Sequence, residues 1–65
     1  MQMTAADMAW MKAQALYQVG DTAEQAGNKA LQEGYSPGTQ AYAAFVNGFM
    51  EMVNAERQSR RDSEN

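Results

Sequence analysis

The side chains that could do chemistry in this chain are carboxylates, hydroxyls and thioethers, because its 65 residues include eight acidic residues, six methionines and neither histidine nor cysteine. Asp21 and Glu24 stand at i, i+3, and Glu51 and Glu56 lie on one apolar segment. Two carboxylates can divide acid and base roles when their surroundings drive the two pKa values apart. Nothing beside these would do so: no lysine in register and no glycine-rich phosphate loop accompanies either pair, and helix capping and solvated faces account for them. Ser36 has no base nearby to activate its hydroxyl, and before Pro37 it suits a helix cap better than a nucleophile. Thioethers at Met1 and Met3, Met8 and Met11, and Met50 and Met52 are donors of the kind cuprous copper takes. Met50 and Met52, however, project to different sides of a helix, and methionine also serves as flexible core filler and adaptable contact surface. The chain therefore reads as a non-enzyme, with no cofactor, metal or small-molecule substrate expected.

Charge limits the partners. The net charge is −3, which gives no footprint for a polyanion. Arg57, Arg60 and Arg61 make the one basic cluster, interleaved with Glu56 and Asp62. At the end of a helix they complement its dipole, and they can also form an ion-pairing rim around a protein interface. The segment Ala30–Gln40 resembles a helix-turn-helix, in which a small residue precedes a turn glycine by four. Against that reading, the following helix is apolar around most of its circumference, and Gln40 falls where the motif wants an aliphatic residue. Nucleic acid is not the expected partner, and a DNA-binding regulator is kept as an alternative.

These side chains must be carried by helices. Thr4 with Asp7 three residues later is a helix start, a hydroxyl cap followed by a carboxylate at the positive end of the dipole. A first helix from about 4 to 33 follows, with small residues at Ala9, Ala13, Gly20, Ala23, Gly27 and Ala30 recurring every three or four positions beside Leu16 and Val19. Another helix backbone can approach such a stripe closely. Gly20 is the point where this helix can kink or break, since Asp21 and Glu24 also read as a second N-cap and its N3 partner; the unbroken phase of the stripe favours continuity. Gly34 fits the left-handed position after a helix, Ser36 the next N-cap and Pro37 the first helical position. A second helix from about 37 to 58 then forms an antiparallel hairpin with the first, leaving 59–65 as a polar, disordered C-terminal tail.

The second helix carries two apolar stripes, Tyr42, Phe45, Phe49 and Met52 on one side and Val46, Met50 and Val53 on the other. A single antiparallel neighbour covers one of them. At about 2 kcal/mol per large side chain, leaving the other in water forfeits most of the margin by which a domain this small folds. With no disulfide or metal to compensate, the expectation is an all-α homodimer closing into a four-helix bundle, with Leu16, Val19, Ala23, Tyr42, Phe45, Val46, Phe49, Met52 and Val53 as its core and dimer residues. Trp10 and Tyr17, two turns apart on the first helix, are candidate partner-binding residues together with Tyr35, Met50, Arg57, Arg60 and Arg61. The apolar run 41–53 is shorter than the roughly 20 residues that span a bilayer and contains Asn47 and Glu51. No basic region precedes an apolar core at the N-terminus, and a cytoplasmic location is expected. The functional expectation is a protein-interaction module, an adaptor or an inhibitor occluding a site on a larger protein, built as small accessory proteins of phages and mobile elements often are. A self-assembling helical subunit is the remaining alternative.

Overall fold

The computed structural model describes residues 2–64, and side chains as far as Arg61. Among these residues there are three helices and no strand: α1 Ala5–Leu16, α2 Ala23–Gln32 and α3 Gln40–Glu64. The chain is all-α, as expected, but the long first helix is broken into two.

α1 starts as its sequence predicts. The Asp7 amide donates to Thr4 Oγ1 at 3.1 Å and the Thr4 amide to Asp7 Oδ2 at 3.3 Å, which satisfies two amides that a helix start leaves unpaired. α1 ends at Leu16, and the chain turns through Gln18–Asp21, closed by the Asp21 amide on the Gln18 carbonyl at 2.9 Å. Gly20 takes φ +98° in that turn, where a side chain would be strained. The cap of α2 lies one residue beyond the expected pair: Thr22, not Asp21, is the N-cap, and Gln25 rather than Glu24 reaches back to accept from the Thr22 amide at 2.9 Å.

α2 closes with Gly34 in the expected position, at φ +91°. The Tyr35 amide reaches the Ala30 carbonyl at 3.1 Å and the Gly34 amide reaches Leu31 at 3.0 Å, the paired bonds of a Schellman ending. Ser36 and Pro37 do not begin α3. With Gly38 at φ +89° they form a four-residue turn closed by the Thr39 amide on the Ser36 carbonyl. Proline and then glycine at its two central positions satisfy that turn better than a helix start. Thr39 is the cap, its hydroxyl accepting from the Tyr42 amide at 3.2 Å. α3 continues past Gln58 through Glu64, over most of the stretch expected to be a polar tail; Asn65 lies outside the described residues.

α3 is the element on which the other two pack, α1 more extensively than α2. α2 runs back along α3, its end bringing Tyr35 to Phe45 with ring centroids 5.5 Å apart. Phe45 and Phe49 are fully buried, Val53 nearly so, and they close against Ala9 and Ala13 of α1 and Ala26 and Ala30 of α2. Of the small-residue stripe, Ala9, Ala13 and Ala30 are buried and Gly27 is half-buried, whereas Gly20 and Ala23 are exposed and Ala26, outside the stripe, is buried instead. Small residues recur on both sides of Gly20 because α1 and α2 each pack on the same third helix, not because one helix is continuous. The break also changes how α3 is covered: α1 and α2 approach different sides of it, and Val46 and Val53, read as a second uncovered stripe, are partly or wholly buried within this one chain.

Of the glycines, Gly48 has the tightest surroundings. A methyl group there would lie 2.7 Å from the Trp10 carbonyl oxygen and 2.9 Å from Trp10 Cδ1. Ala44, one turn before Gly48 on the same side of α3, is half-buried.

Candidate functional site

Of the carboxylates that could have formed an acid–base site, Asp21 and Glu56 are engaged at the loop between α1 and α2. Lys29 Nζ donates to the Leu16 carbonyl at 2.9 Å and to Asp21 Oδ2 at 2.6 Å, and it lies 5.3 Å from the centre of the Phe49 ring. One cation therefore caps α1, fixes the loop and sits over the core aromatic. Asp21 also accepts from the Gln18 amide at 3.0 Å. The Lys29 hydrogen bond first, and the Gln18 amide after it, hold the Asp21 carboxyl below the ordinary aspartate range. Glu56 accepts from the Gly20 amide through both carboxylate oxygens at 3.2 Å and pairs with Arg60 at 2.8 Å. Lys12 pairs with Glu33 at 2.6 Å, and that hydrogen bond raises the lysine above its usual value. Each carboxylate here is anchored to an amide or a cation, and none is paired with a second carboxylate. Among the described residues no group of three acidic side chains is placed to hold a metal ion.

Two of the surface depressions among the described residues carry methionine or tryptophan side chains. On α1 the face turned away from α3 carries Met8 and Met11, 60% and 54% exposed. With Met3, Lys12 and Tyr35 they line an open depression of about 370 Å³. The second surface is a groove of about 660 Å³ between α1 and α3, on the side away from α2, walled by Trp10 and Met50 and edged by Asp7 and Glu51. Asn47 and Asn54 extend it along α3.

The expected partner-binding residues are divided between roles. Trp10 is half-buried against Gly48 and lines the groove with Met50. Tyr17 is turned inward, edge-on to Phe49 with centroids 5.3 Å apart, and its hydroxyl is buried with no hydrogen-bond partner among the described residues. Trp10 and Tyr17 therefore do not present one aromatic side. Tyr35 packs on Phe45 and also edges the methionine depression. Arg57 and Arg61 are exposed on α3 beyond the groove, while Arg60 is taken by Glu56.

Of the expected core and dimer residues, Phe45, Phe49 and Val53 are buried, and Leu16, Tyr42 and Val46 pack partly buried against them. Met52 is half-buried. Val19, on the loop, is 81% exposed, and Ala23 is exposed at the start of α2. Both sit where the break takes the chain off α3. The sequence raises Met3, Met8 and Met11 as thioether donors or adaptable surface without placing them among the partner-binding residues, although the i, i+3 spacing of Met8 and Met11 opposite Ala9 and Ala13 marks an exposed apolar face. It also passed over Lys29, whose partners are tertiary and leave no local pattern.

No helix among the described residues is long and apolar enough to cross a membrane. Comparison of the chain with protein-family models, with curated proteins and with solved structures finds no match.

Proposed function

We propose that this protein is a small non-enzymatic protein-interaction module, a homodimeric adaptor or inhibitor that seats on a larger protein through the methionine face of α1. The observation that carries this reading is the exposure of Met3, Met8 and Met11 around one depression, in a chain whose larger aromatic and valine side chains on α3 are otherwise covered. Unbranched thioether side chains reshape to fit an apolar partner surface at little cost, which suits a docking face more than a catalytic one. The anchored state of Asp21, Glu56 and Glu33 supports the absence of catalysis. With three helices per chain, a dimer is a six-helix assembly rather than the four-helix bundle expected from two. The DNA-binding alternative draws no support from α3, whose outward residues ahead of Arg57 include Glu51 and no cation.

The test compares wild type with a Met8→Glu/Met11→Glu variant, both confirmed helical by circular dichroism, as baits in lysate of the source organism. A partner retained by wild type and lost by the variant is expected. A partner retained equally by both overturns the assignment of this face, and a sequence-independent shift of DNA at moderate salt overturns the reading as a protein-binding module.

A further inference from the structure

The chain has no cysteine, so its methionines are the sulfur that a two-electron oxidant meets, and the fold sorts them into two sets. Met3, Met8 and Met11 are 50%, 60% and 54% exposed and share one open depression with Lys12 and Tyr35. Met50 and Met52 are half-buried on α3, Met50 in the groove beside Trp10. Met1 lies outside the described residues. The buried core is built of phenylalanine, valine and alanine and contains no thioether. Where methionines fill a core, adding oxygen to sulfur disrupts the packing. In this fold the same reaction at the exposed set places polar oxygens on the surface and leaves the seams of α1 and α2 against α3 as they are. Met8 and Lys12 are one turn apart on α1 and line the same depression. The Lys12 ammonium gives one N–H to Glu33 at 2.6 Å and keeps two for other acceptors, a sulfoxide oxygen among them.

We infer that Met3, Met8 and Met11 form a modification site, at which hydrogen peroxide converts the thioethers to sulfoxides and turns this face from apolar to polar without unfolding the chain. The sulfur lone pair attacks one peroxide oxygen, and the O–O bond breaks as the S–O bond forms. The departing hydroxide takes the proton from the transferred oxygen and leaves as water. Sulfur is oxidised by two electrons and the peroxide is reduced by two. Sulfoxide reductases, one for each epimer, reverse the step: two thiols become a disulfide and the oxygen leaves as water. An apolar partner surface offers no hydrogen bond to a sulfoxide oxygen, so the oxidised face docks less well. That consequence rests on the reading of the methionine face as the docking surface. Burying a polar group without a partner weakens binding by about tenfold or more.

The test treats the full chain with limited hydrogen peroxide and follows each sulfur by tryptic digestion and mass spectrometry. Cleavage after Lys12, Lys29 and Arg57 puts Met3, Met8 and Met11 on one peptide and Met50 and Met52 on another. The exposed three are expected to oxidise faster than the other two by about threefold or more, and the difference is expected to vanish in urea. Equal rates in the native chain overturn the site. The oxidised chain is expected to keep its helical circular dichroism and to melt within about 5 °C of the reduced one. Loss of the cooperative melt overturns the proposal, since oxidation would then be damage to the fold. Retention on a phenyl column is expected to fall on oxidation of wild type and to stay unchanged in a Met3→Leu/Met8→Leu/Met11→Leu variant, which keeps the face apolar and removes its sulfur. Unchanged retention of oxidised wild type overturns the change in polarity. The partner captured by the reduced wild-type bait is expected to be lost from oxidised wild type and held by the peroxide-treated leucine variant. If oxidised wild type holds that partner while Met8→Glu/Met11→Glu loses it, control by oxidation is overturned and the docking face stands. If Met8→Glu/Met11→Glu also holds it, the docking reading falls, and the digest, the melt and the column decide the modification site by themselves.

Discussion

Replacing Gly48 with alanine is the sharpest probe of how α1 and α3 meet. A Cβ at that position lies 2.7 Å from the Trp10 carbonyl oxygen, 2.9 Å from Trp10 Cδ1 and 3.1 Å from Cγ. The first of these is backbone, so no side-chain rotation relieves it. Restoring an ordinary contact requires α1 to move off α3 by about 0.7 Å, which loosens the contacts of Ala9 and Ala13 along the same seam. Overpacking of this kind costs about 1–3 kcal/mol. Alanine also favours a helix interior over glycine by about 1 kcal/mol, which works the other way. With the clash on backbone the overpacking falls in the upper part of that range, about 2–3 kcal/mol, so the net expectation is a loss of about 1–2 kcal/mol, or about 5–15 °C in Tm for a domain of this size. Gly27 in α2 is the internal control: its Cβ would meet the Tyr42 hydroxyl at 3.1 Å, the end of a side chain that can shift. Gly27→Ala is therefore expected to be neutral or stabilising by up to about 1 kcal/mol. The assay is thermal and urea unfolding followed by circular dichroism at one protein concentration, with Trp10 fluorescence reporting the seam itself. If Gly48→Ala melts at or above wild type while Gly27→Ala does likewise, helix propensity alone governs both positions and the close α1–α3 approach is refuted.

Three further outcomes follow from the packing and the loop. Phe49→Ala removes a fully buried ring that touches Tyr17, Phe45 and Lys29, at a cost of about 3–5 kcal/mol; against a total margin of about 3–10 kcal/mol, most of the cooperative melt is lost, and a retained sharp transition near the wild-type Tm would show that this ring is not in the core. Tyr17→Phe deletes a buried hydroxyl with no partner among the described residues and is expected to leave Tm unchanged or raised, so a clear drop in Tm would reveal a hydrogen bond to that hydroxyl. Asp21 titrates lower in the folded chain than in the unfolded one, so across that interval the unfolded chain binds more protons and stability rises with pH. The contribution is complete above the ordinary aspartate value of about 3.9 and is lost as pH falls through the lower folded value. Urea midpoints measured from neutral to acidic pH should show Asp21→Asn less stable at neutral pH and converging on wild type in acid; parallel curves would refute the linkage.

What could be read from the sequence is what depends on a few adjacent residues. The Thr4–Asp7 cap and Gly34 in the left-handed position after a helix need only local geometry, and both are found where composition placed them. Phe45 and Phe49 declare themselves by size within an apolar run. The break at Gly20 was not decided by periodicity, because two helices packing on a common third helix show the same small-residue phase as one continuous helix. Local caps at Asp21 and at Ser36 each had a competitor one to three residues on, Thr22 and Thr39, and the choice between them rests on turns that only the folded chain closes. Lys29, reaching the end of α1 and the loop at once, leaves no trace in its own neighbourhood. Gly48 interrupts an apolar run and could be taken for a weak point there, although it is where the backbone of α1 comes up against α3.

The break at Gly20 also relocates the surface by which the chain can work. A continuous first helix would cover one side of α3 and leave Val46, Met50 and Val53 as the face for a partner. With α1 and α2 on separate sides, Val53 is enclosed and Val46 partly so, and the exposed apolar surface moves outward to Met3, Met8 and Met11. Of the second stripe only Met50 still faces an open groove, and there it is accompanied by Trp10 and bordered by carboxylates. The uncovered surface of the chain is thereby divided by chemistry. One face is apolar and carries Met3, Met8 and Met11, and the other is a groove lined by Trp10 and Met50 with the carboxylates of Asp7 and Glu51.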